Sequence, residues 1–319
     1  MAVLIIGAGL VGSQIARILV ESGERPVLMD RAPQPGALGE IFDLSRATLI
    51  EGDVLQQLSL VQAIRDHDIT EIIHMAGNAM FTVGAQRDPY AAIQLNIMGT
   101  ANVLEAARVM GVRRVVVASS NVLNHHLEGG QGEGDLSREE AFPRPITIYS
   151  ACKQAMESLG LNYARWFGVD FAAVRYGAVA GPWGGAGGGG PSNVFRSMLL
   201  AAHKGEEAVV PAHNLEWVYS KDAARGTVLA LKAGALKRRV FNLTMGRLNG
   251  PDEISAALRS VFPGVRLRID APFDGTPALR EHKFASNLGS AKDMLGFVPA
   301  YQMNHAVRDM AAWLKSRAA

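Results

Sequence analysis

Short apolar runs alternate with amphipathic stretches through the first half of the chain. Residues 3–6, 26–30, 71–75, 114–118 and 171–175 have the length and composition of buried strands, and residues 48–52, leading into Asp53, end another. Between them, residues 10–20, 58–65, 90–109 and 149–166 carry apolar positions at helical spacing, for example 93, 97, 104 and 107. The alternation predicts an α/β fold, a Rossmann-like doubly wound parallel sheet with helices on both faces. Ligands of such sheets lie beyond the carboxyl ends of the strands. The residues that follow each strand are therefore where chemistry is expected.

The second half is less regular. The run 184–190 (GGAGGGG), followed by Pro191, cannot be the interior of a strand or helix. It predicts a mobile loop, either a lid over a site or a linker. Beyond it the pattern predicts a helix from Asn193, strands near 208–211 and 239–243, and helices near 221–233, 251–261 and 304–317. Residues 129–134 form a second glycine-rich loop, and there is no internal repeat. The expected division is a dinucleotide-binding domain over 1–180, completed by later strand and helix contributions, and a smaller C-terminal substrate-binding region over 181–319.

Composition narrows the function. The chain has 319 residues, 48% of them hydrophobic, enough for a large core. With 32 basic and 30 acidic residues the net charge is +2, which implies no broad nucleic-acid surface. The single cysteine, Cys152, excludes an internal disulfide and a multi-cysteine metal site, so a cytoplasmic location is the default expectation. No apolar run approaches the roughly 18–20 residues that span a bilayer, and the N-terminus lacks the basic lead of a signal peptide. His125 and His126 are adjacent, point in different directions and have no evident third ligand, so no metal is expected. A small-molecule substrate is left as the expected partner.

Gly7-Ala8-Gly9-Leu10-Val11-Gly12 closes the first strand and opens the first helix, the context in which G-x-G-x-x-G binds a dinucleotide. The glycines allow a tight turn and close approach to a pyrophosphate resting on the helix N-terminus. Asp30 ends the second strand, where a carboxylate accepts from ribose hydroxyls and repels a 2′-phosphate, favouring NAD. The neighbouring Arg31 is a guanidinium that could instead pair with a phosphate.

Tyr149 and Lys153 lie four apart on a predicted helix, so both face one way. An ammonium beside a phenol lowers its pKa, which suits a tyrosine to exchange a proton with a substrate hydroxyl. Ser119-Ser120 closes the fifth strand at the expected site edge, where a hydroxyl can polarise a substrate oxygen.

These residues, with Gly52-Asp53-Val54, His74-Met75-Ala76-Gly77, the stretch from Asn96 to Ala107 (NIMGTANVLEAA), Tyr149-Ser150-Ala151-Cys152-Lys153, the stretch from Arg175 to Pro182 (RYGAVAGP) and Leu295-Gly296-Phe297-Val298-Pro299, resemble an extended short-chain dehydrogenase/reductase of the NAD-dependent epimerase/dehydratase family. The resemblance spans nearly the whole chain. It implies that Ser120, Tyr149 and Lys153 are catalytic, with Tyr149 the acid/base and Lys153 its partner and a ribose ligand. It also implies that Asp53 and Val54 flank the adenine, that Met75, Ala76 and Gly77 line the cofactor, and that Tyr176 and Val179 lie by the nicotinamide. Asn96 is expected near the cofactor or in a structural role, Asn121 at the substrate beside Ser120 and Tyr149, and Asp222 as a helix cap. The helices over 90–109 and 149–166 often pair two subunits in this family, which implies a homodimer.

The chain also departs from the family. Ile6 stands where the first glycine of G-x-x-G-x-x-G falls, and residues 121–126 (NVLNHH) replace the usual V-Y-G after the serine. Nucleotide-sugar members carry an Asn and an Arg that hold the diphosphate; here those positions are Ala178 and Leu215. Without a guanidinium there is no bidentate phosphate clamp. Asn121-Val122 also cannot supply the acidic pair of the dehydratases. The sequence therefore predicts an NAD-dependent oxidoreductase acting on a secondary alcohol, sugar-, sugar-acid- or polyol-like. The alternative is a nucleotide-sugar epimerase resembling UDP-glucose 4-epimerase. An NAD-binding sensor without turnover would be expected to have a damaged Ser-Tyr-Lys set, and here all three are present.

Overall fold

The computed structural model describes residues 2–77, 87–124, 145, 147–270 and 284–318. The first half is β1 (Ala2–Ile6), α1 (Leu10–Glu21), β2 (Val27–Asp30), α2 (Pro35–Gly39), β3 (Thr48–Glu51), α3 (Gln57–Asp66) and β4 (Ile69–His74). It continues through α4 (Pro89–Ile93), a π-helical turn (Gln94–Met98), α5 (Gly99–Met110), β5 (Arg114–Ser120), a 3-10 turn (Asn121–Asn124), α6 (Ile148–Phe167) and β6 (Asp170–Tyr176). The second half adds β7 (Ala178–Ala180), α7 (Gly189–His203), β8 (Glu207–Val210), β9 (Leu215–Tyr219), α8 (Ser220–Lys232), β10 (Val240–Leu243), β11 (Leu248–Asn249), α9 (Pro251–Val261), β12 (Arg266–Ile269), α10 (Gly289–Leu295) and α11 (Met303–Ala318).

Seven strands form one parallel sheet in the order β10-β6-β5-β4-β1-β2-β3. Strand order reverses between β1 and β4, which opens the crevice where ligands of such sheets bind. Successive strand residues point to opposite faces. In β4, Ile72 joins the core under α3, α5 and α6, while Ile73 joins the core under α1 and α8. Both faces are therefore covered, as the near-continuous apolar strands predicted. The small sheet β11-β9-β7, the pair β8-β12 and helices α7, α9 and α11 enclose a third core centred on Phe195, Trp217 and Tyr219.

Two helix assignments change. The expected helix over 90–109 is interrupted by the π turn, where Asn96 Nδ2 donates to Ala92 O (2.8 Å) and Thr100 Oγ1 to Asn96 O (2.6 Å). Side-chain bonds to a preceding turn compete with the regular ladder. The helix expected from Asn193 starts earlier, at Gly189, so the glycine run ends inside its first turn. Both glycine-rich predictions thus have different outcomes: residues 184–188 are irregular loop, whereas 129–134 lie outside the described residues, as do His125 and His126. No helix among the described residues is long and apolar enough to cross a membrane.

Candidate active site

A cleft of about 510 Å³ runs along the carboxyl ends of β1, β2, β4, β5 and β6. At one end, Gly7 has φ +98°, a region that strains any other residue. A Cβ there would meet Ala76 N at 2.7 Å, and one at Gly12 would meet Gly7 O at 2.0 Å, so the turn between β1 and α1 closes only with glycine. Gly9, Leu10 and Val11 also line the cleft, and no side chain caps α1, leaving its first N–H groups for a ligand anion. Asp30 accepts from Ala8 N (2.8 Å) and Ala32 N (3.0 Å), which fixes its carboxylate at the cleft wall beside Arg31. Asp53 is held by Leu55 N at 2.9 Å, and Val54 by Asn102, whose Nδ2 donates to Val54 O at 3.0 Å. Met75, Ala76, Gly77, Tyr176 and Val179 complete the wall. An elongated cleft with a glycine turn at an uncapped helix start and a carboxylate at the strand end fits a dinucleotide.

At the other end lie Ser120, Tyr149 and Lys153. A reciprocal capping box positions the tyrosine: Thr147 Oγ1 accepts from Ser150 N, and Ser150 Oγ from Thr147 N, both at 3.0 Å. This fixes the first turn of α6, and the four-residue spacing brings Lys153 to the same face. Ser120 hydrogen-bonds Tyr149. Lys153 Nζ donates to Ala118 O at 2.8 Å. Beneath the serine, Ser119 Oγ donates to Glu157 Oε1 (2.5 Å), and Arg175 clasps the same carboxylate at 2.8 and 2.7 Å. This buried pair pins β5, β6 and α6 together directly under the site.

The electrostatics correct one expectation. Burial pushes the Tyr149 phenol up to about 12, against the Ser120 hydrogen bond that lowers it. Lys153 Nζ sits over the Tyr149 ring, 5.4 Å from its centroid, while donating to Ala118 O. Burial likewise pulls the Lys153 amine down to about 8. The buried His74 ring is pulled down to about 3 by burial and by Lys153.

Two expected site residues do not line the cleft. Asn121 is buried with its Nδ2 turned to Glu216 Oε2 at 3.0 Å, away from any substrate. Asn96 lies behind Gly77, where an added Cβ would come 2.9 Å from its Oδ1. Asp222 is not the cap of α8, since Tyr219 holds that position; its carboxylate instead accepts from Tyr301 N (2.7 Å) and Arg225 (2.9 Å). Trp183 and Trp217 are buried in packing. Sequence reasoning missed Gln34, whose Oε1 accepts from Ala186 N at 2.7 Å and so straps the glycine loop across the cleft. The lid alternative for residues 184–190 receives support, because 186–189 line the cleft.

The family model described as NAD dependent epimerase/dehydratase matches residues 3–244. The chain belongs to the NAD-dependent epimerase/dehydratase family. It is 24% identical to a UDP-glucuronate 4-epimerase of Thermodesulfobacterium geofontis (strain OPF15), over 97% of this chain and 94% of that protein. Among solved structures it is similar to a UDP-glucose 4-epimerase of Thermus thermophilus in complex with NAD (23% identity, TM-score 0.81, 99% of both chains). It is also similar to the holo form of a GalE-like L-threonine dehydrogenase from Cupriavidus necator (26% identity, TM-score 0.82, 98% of this chain and 100% of that one). The family member is thus an NAD-dependent enzyme of the extended short-chain dehydrogenase/reductase type, and NAD is its cofactor.

Proposed function

We propose that the chain is a dehydrogenase that oxidises a secondary alcohol without a nucleotide attached, and runs in reverse as a ketone reductase. The observation that carries this is the gathering of Ser120, Tyr149 and Lys153 at one end of the NAD cleft. NAD, when bound, supplies the acceptor for the substrate's hydride and a positive ring charge that favours the phenolate. Tyr149 Oη takes the hydroxyl proton as the carbon–hydrogen bond breaks. Ser120 Oγ orients the substrate oxygen and stabilises its developing charge. Lys153, fixed by Ala118 O, adds positive charge beside Tyr149 and offers its remaining N–H donors to a ribose hydroxyl. Gly7, Gly9, Leu10, Val11, Gly12 and Asp30 hold the pyrophosphate and adenosine ribose, and Asp53 and Val54 the adenine. Met75, Ala76, Gly77, Tyr176 and Val179 hold the nicotinamide half, with Asn96 supporting Gly77 from behind.

Ala178 and Leu215, at the two positions that hold the diphosphate in nucleotide-sugar members, favour this over sugar-nucleotide chemistry. Ala178 sits in the cleft wall, and Leu215 packs into the third core. Arg31 and Lys153 are the only cations among the described lining residues. The alternative is a UDP-sugar 4-epimerase, favoured by the names of several relatives. The two are separated by offering NAD with sugar acids, polyols and hydroxy acids while following absorbance at 340 nm. Net NADH production supports the dehydrogenase. No NADH from any of them, with a UDP-sugar interconverted and no external NAD consumed, overturns it.

We also propose a homodimer paired through α4, α5 and α6. Tyr90 and Ile93 on α4, Met98 on the π turn before α5 and Leu161 on α6 are large apolar side chains that are exposed.

A further inference from the structure

Glu216 is a buried carboxylate that no part of the proposed chemistry uses. It sits on β9 at 1% exposure, and among the described residues no ion pair involves it. Four neutral donors satisfy it instead. Oε1 accepts from Ser286 N (2.8 Å) and Thr244 Oγ1 (2.7 Å). Oε2 accepts from Ser286 Oγ (2.6 Å) and Asn121 Nδ2 (3.0 Å). Burial pushes the Glu216 carboxyl up and makes any unmet oxygen expensive, so the donors that satisfy it are held tightly. They come from three separate segments: the turn after β5, the end of β10 and the chain entering α10.

The Glu216 backbone packs against the cleft wall from behind. A Cβ on Gly177, which lines the cleft, would meet the Glu216 carbonyl at 2.3 Å. Asn121 immediately follows Ser120 and opens the 3-10 turn, where Val122 N donates back to Ser120 Oγ at 3.4 Å. Anchoring the Asn121 side chain therefore anchors the peptide that aims the serine hydroxyl at Tyr149. We infer that Glu216 is a positioning residue for Ser120, acting through Asn121. This rests on the role proposed above for Ser120. Thr244 and Ser286 hold the carboxylate, but neither adjoins a cleft residue of the Ser-Tyr-Lys group. Loss of the Thr244 hydroxyl should weaken the hub without moving the serine.

The test is a double-mutant cycle on the full-length chain with NAD and the alcohol found in the 340 nm screen. Glu216→Ala and Asn121→Ala should each lower kcat by about tenfold or more, since small misplacements near reacting groups are costly. KM and NADH affinity should stay within about twofold, and the double variant should be no slower than the worse single one. Glu216→Gln should recover most of kcat, because the Asn121 amide and Ser286 hydroxyl can reverse to meet it. Thr244→Val should keep kcat despite any loss of Tm. Full kcat in Asn121→Ala, additive losses, or losses that follow Tm across all the variants would overturn the inference. If the screen yields no substrate, the dehydrogenase proposal fails, but Glu216 can still be judged from crystal structures of the two alanine variants. A Ser120 hydroxyl displaced from Tyr149 supports positioning. One still bonded to Tyr149 contradicts it, and Asn121→Ala decides if Glu216→Ala does not fold.

Discussion

Lys153 carries a cost as well as a role. Its amine is pulled down to about 8 by burial, whereas an unfolded lysine titrates near its ordinary 10.5. Below pH 8 the group is charged in both states and the burial cost is complete. Between about 8 and 10.5 the folded chain releases a proton that the unfolded chain keeps, so this group makes stability rise with pH. Lys153→Met removes that dependence. Chemical denaturation of the two proteins at pH 7, 8, 9 and 10 should show the wild type gaining on the variant at each step, and parallel curves would contradict the assignment. The Ser-Tyr-Lys group was legible in the sequence because its spacing and strand-end positions are local signals. Glu216 and Gln34 were not. Their partners lie 95 and 152 residues away in sequence, and nothing in their flanking residues marks them. Asn121 was placed at the substrate because it adjoins Ser120, yet its side chain points the other way.

The strand–helix alternation of the first half was readable because each element carries its own apolar pattern. The short helix α2 and the π turn around Asn96 escaped; at the π turn side-chain bonds, which carry no hydrophobic period, accompany the break. β9 was missed although Leu215–Tyr219 is apolar at four of five positions, because it pairs only with the short strands β7 and β11 in a separate sheet. The glycine run shows how an element gains a role from distant contacts. Ala186 is held by Gln34 on its N–H, at 2.7 Å, and by Trp183 Nε1 on its carbonyl, at 3.0 Å. Gly187 and Gly188 take φ +89° and +93°, which let the chain turn from this anchor into α7. Gln34→Ala removes one anchor of a segment that lines the cofactor cleft. At about 1 kcal/mol for such a bond, stopped-flow displacement of bound NADH should be roughly fivefold faster, with Tm nearly unchanged. An unaltered release rate would show that the strap does not retain cofactor.

Over the whole molecule, the seven-stranded sheet carries the cleft at its carboxyl edge, and β10, α8 and α10 return from the second half to complete that layer. The exposed apolar side chains of α4, α5 and α6 also belong to this scale. Tyr90 is 71% exposed and Met98, on the π turn, 50%. If these helices pair two copies, light scattering should give twice the 34.1 kDa chain mass, and Met98→Glu should shift it toward monomer. A monomeric wild type at micromolar concentration would rule the pairing out.

The central claim is that Tyr149 moves the proton while NAD takes the hydride in one shared cleft. It is tested most directly by comparing wild type and Tyr149→Phe for NADH formation at 340 nm with the alcohol found in the screen, beside NADH affinity for both. The expected result is a loss of about 10² to 10⁴ in kcat, the usual range for removing a general acid–base, with NADH affinity within about twofold. A phenylalanine variant that still reduces NAD at the wild-type rate would contradict it.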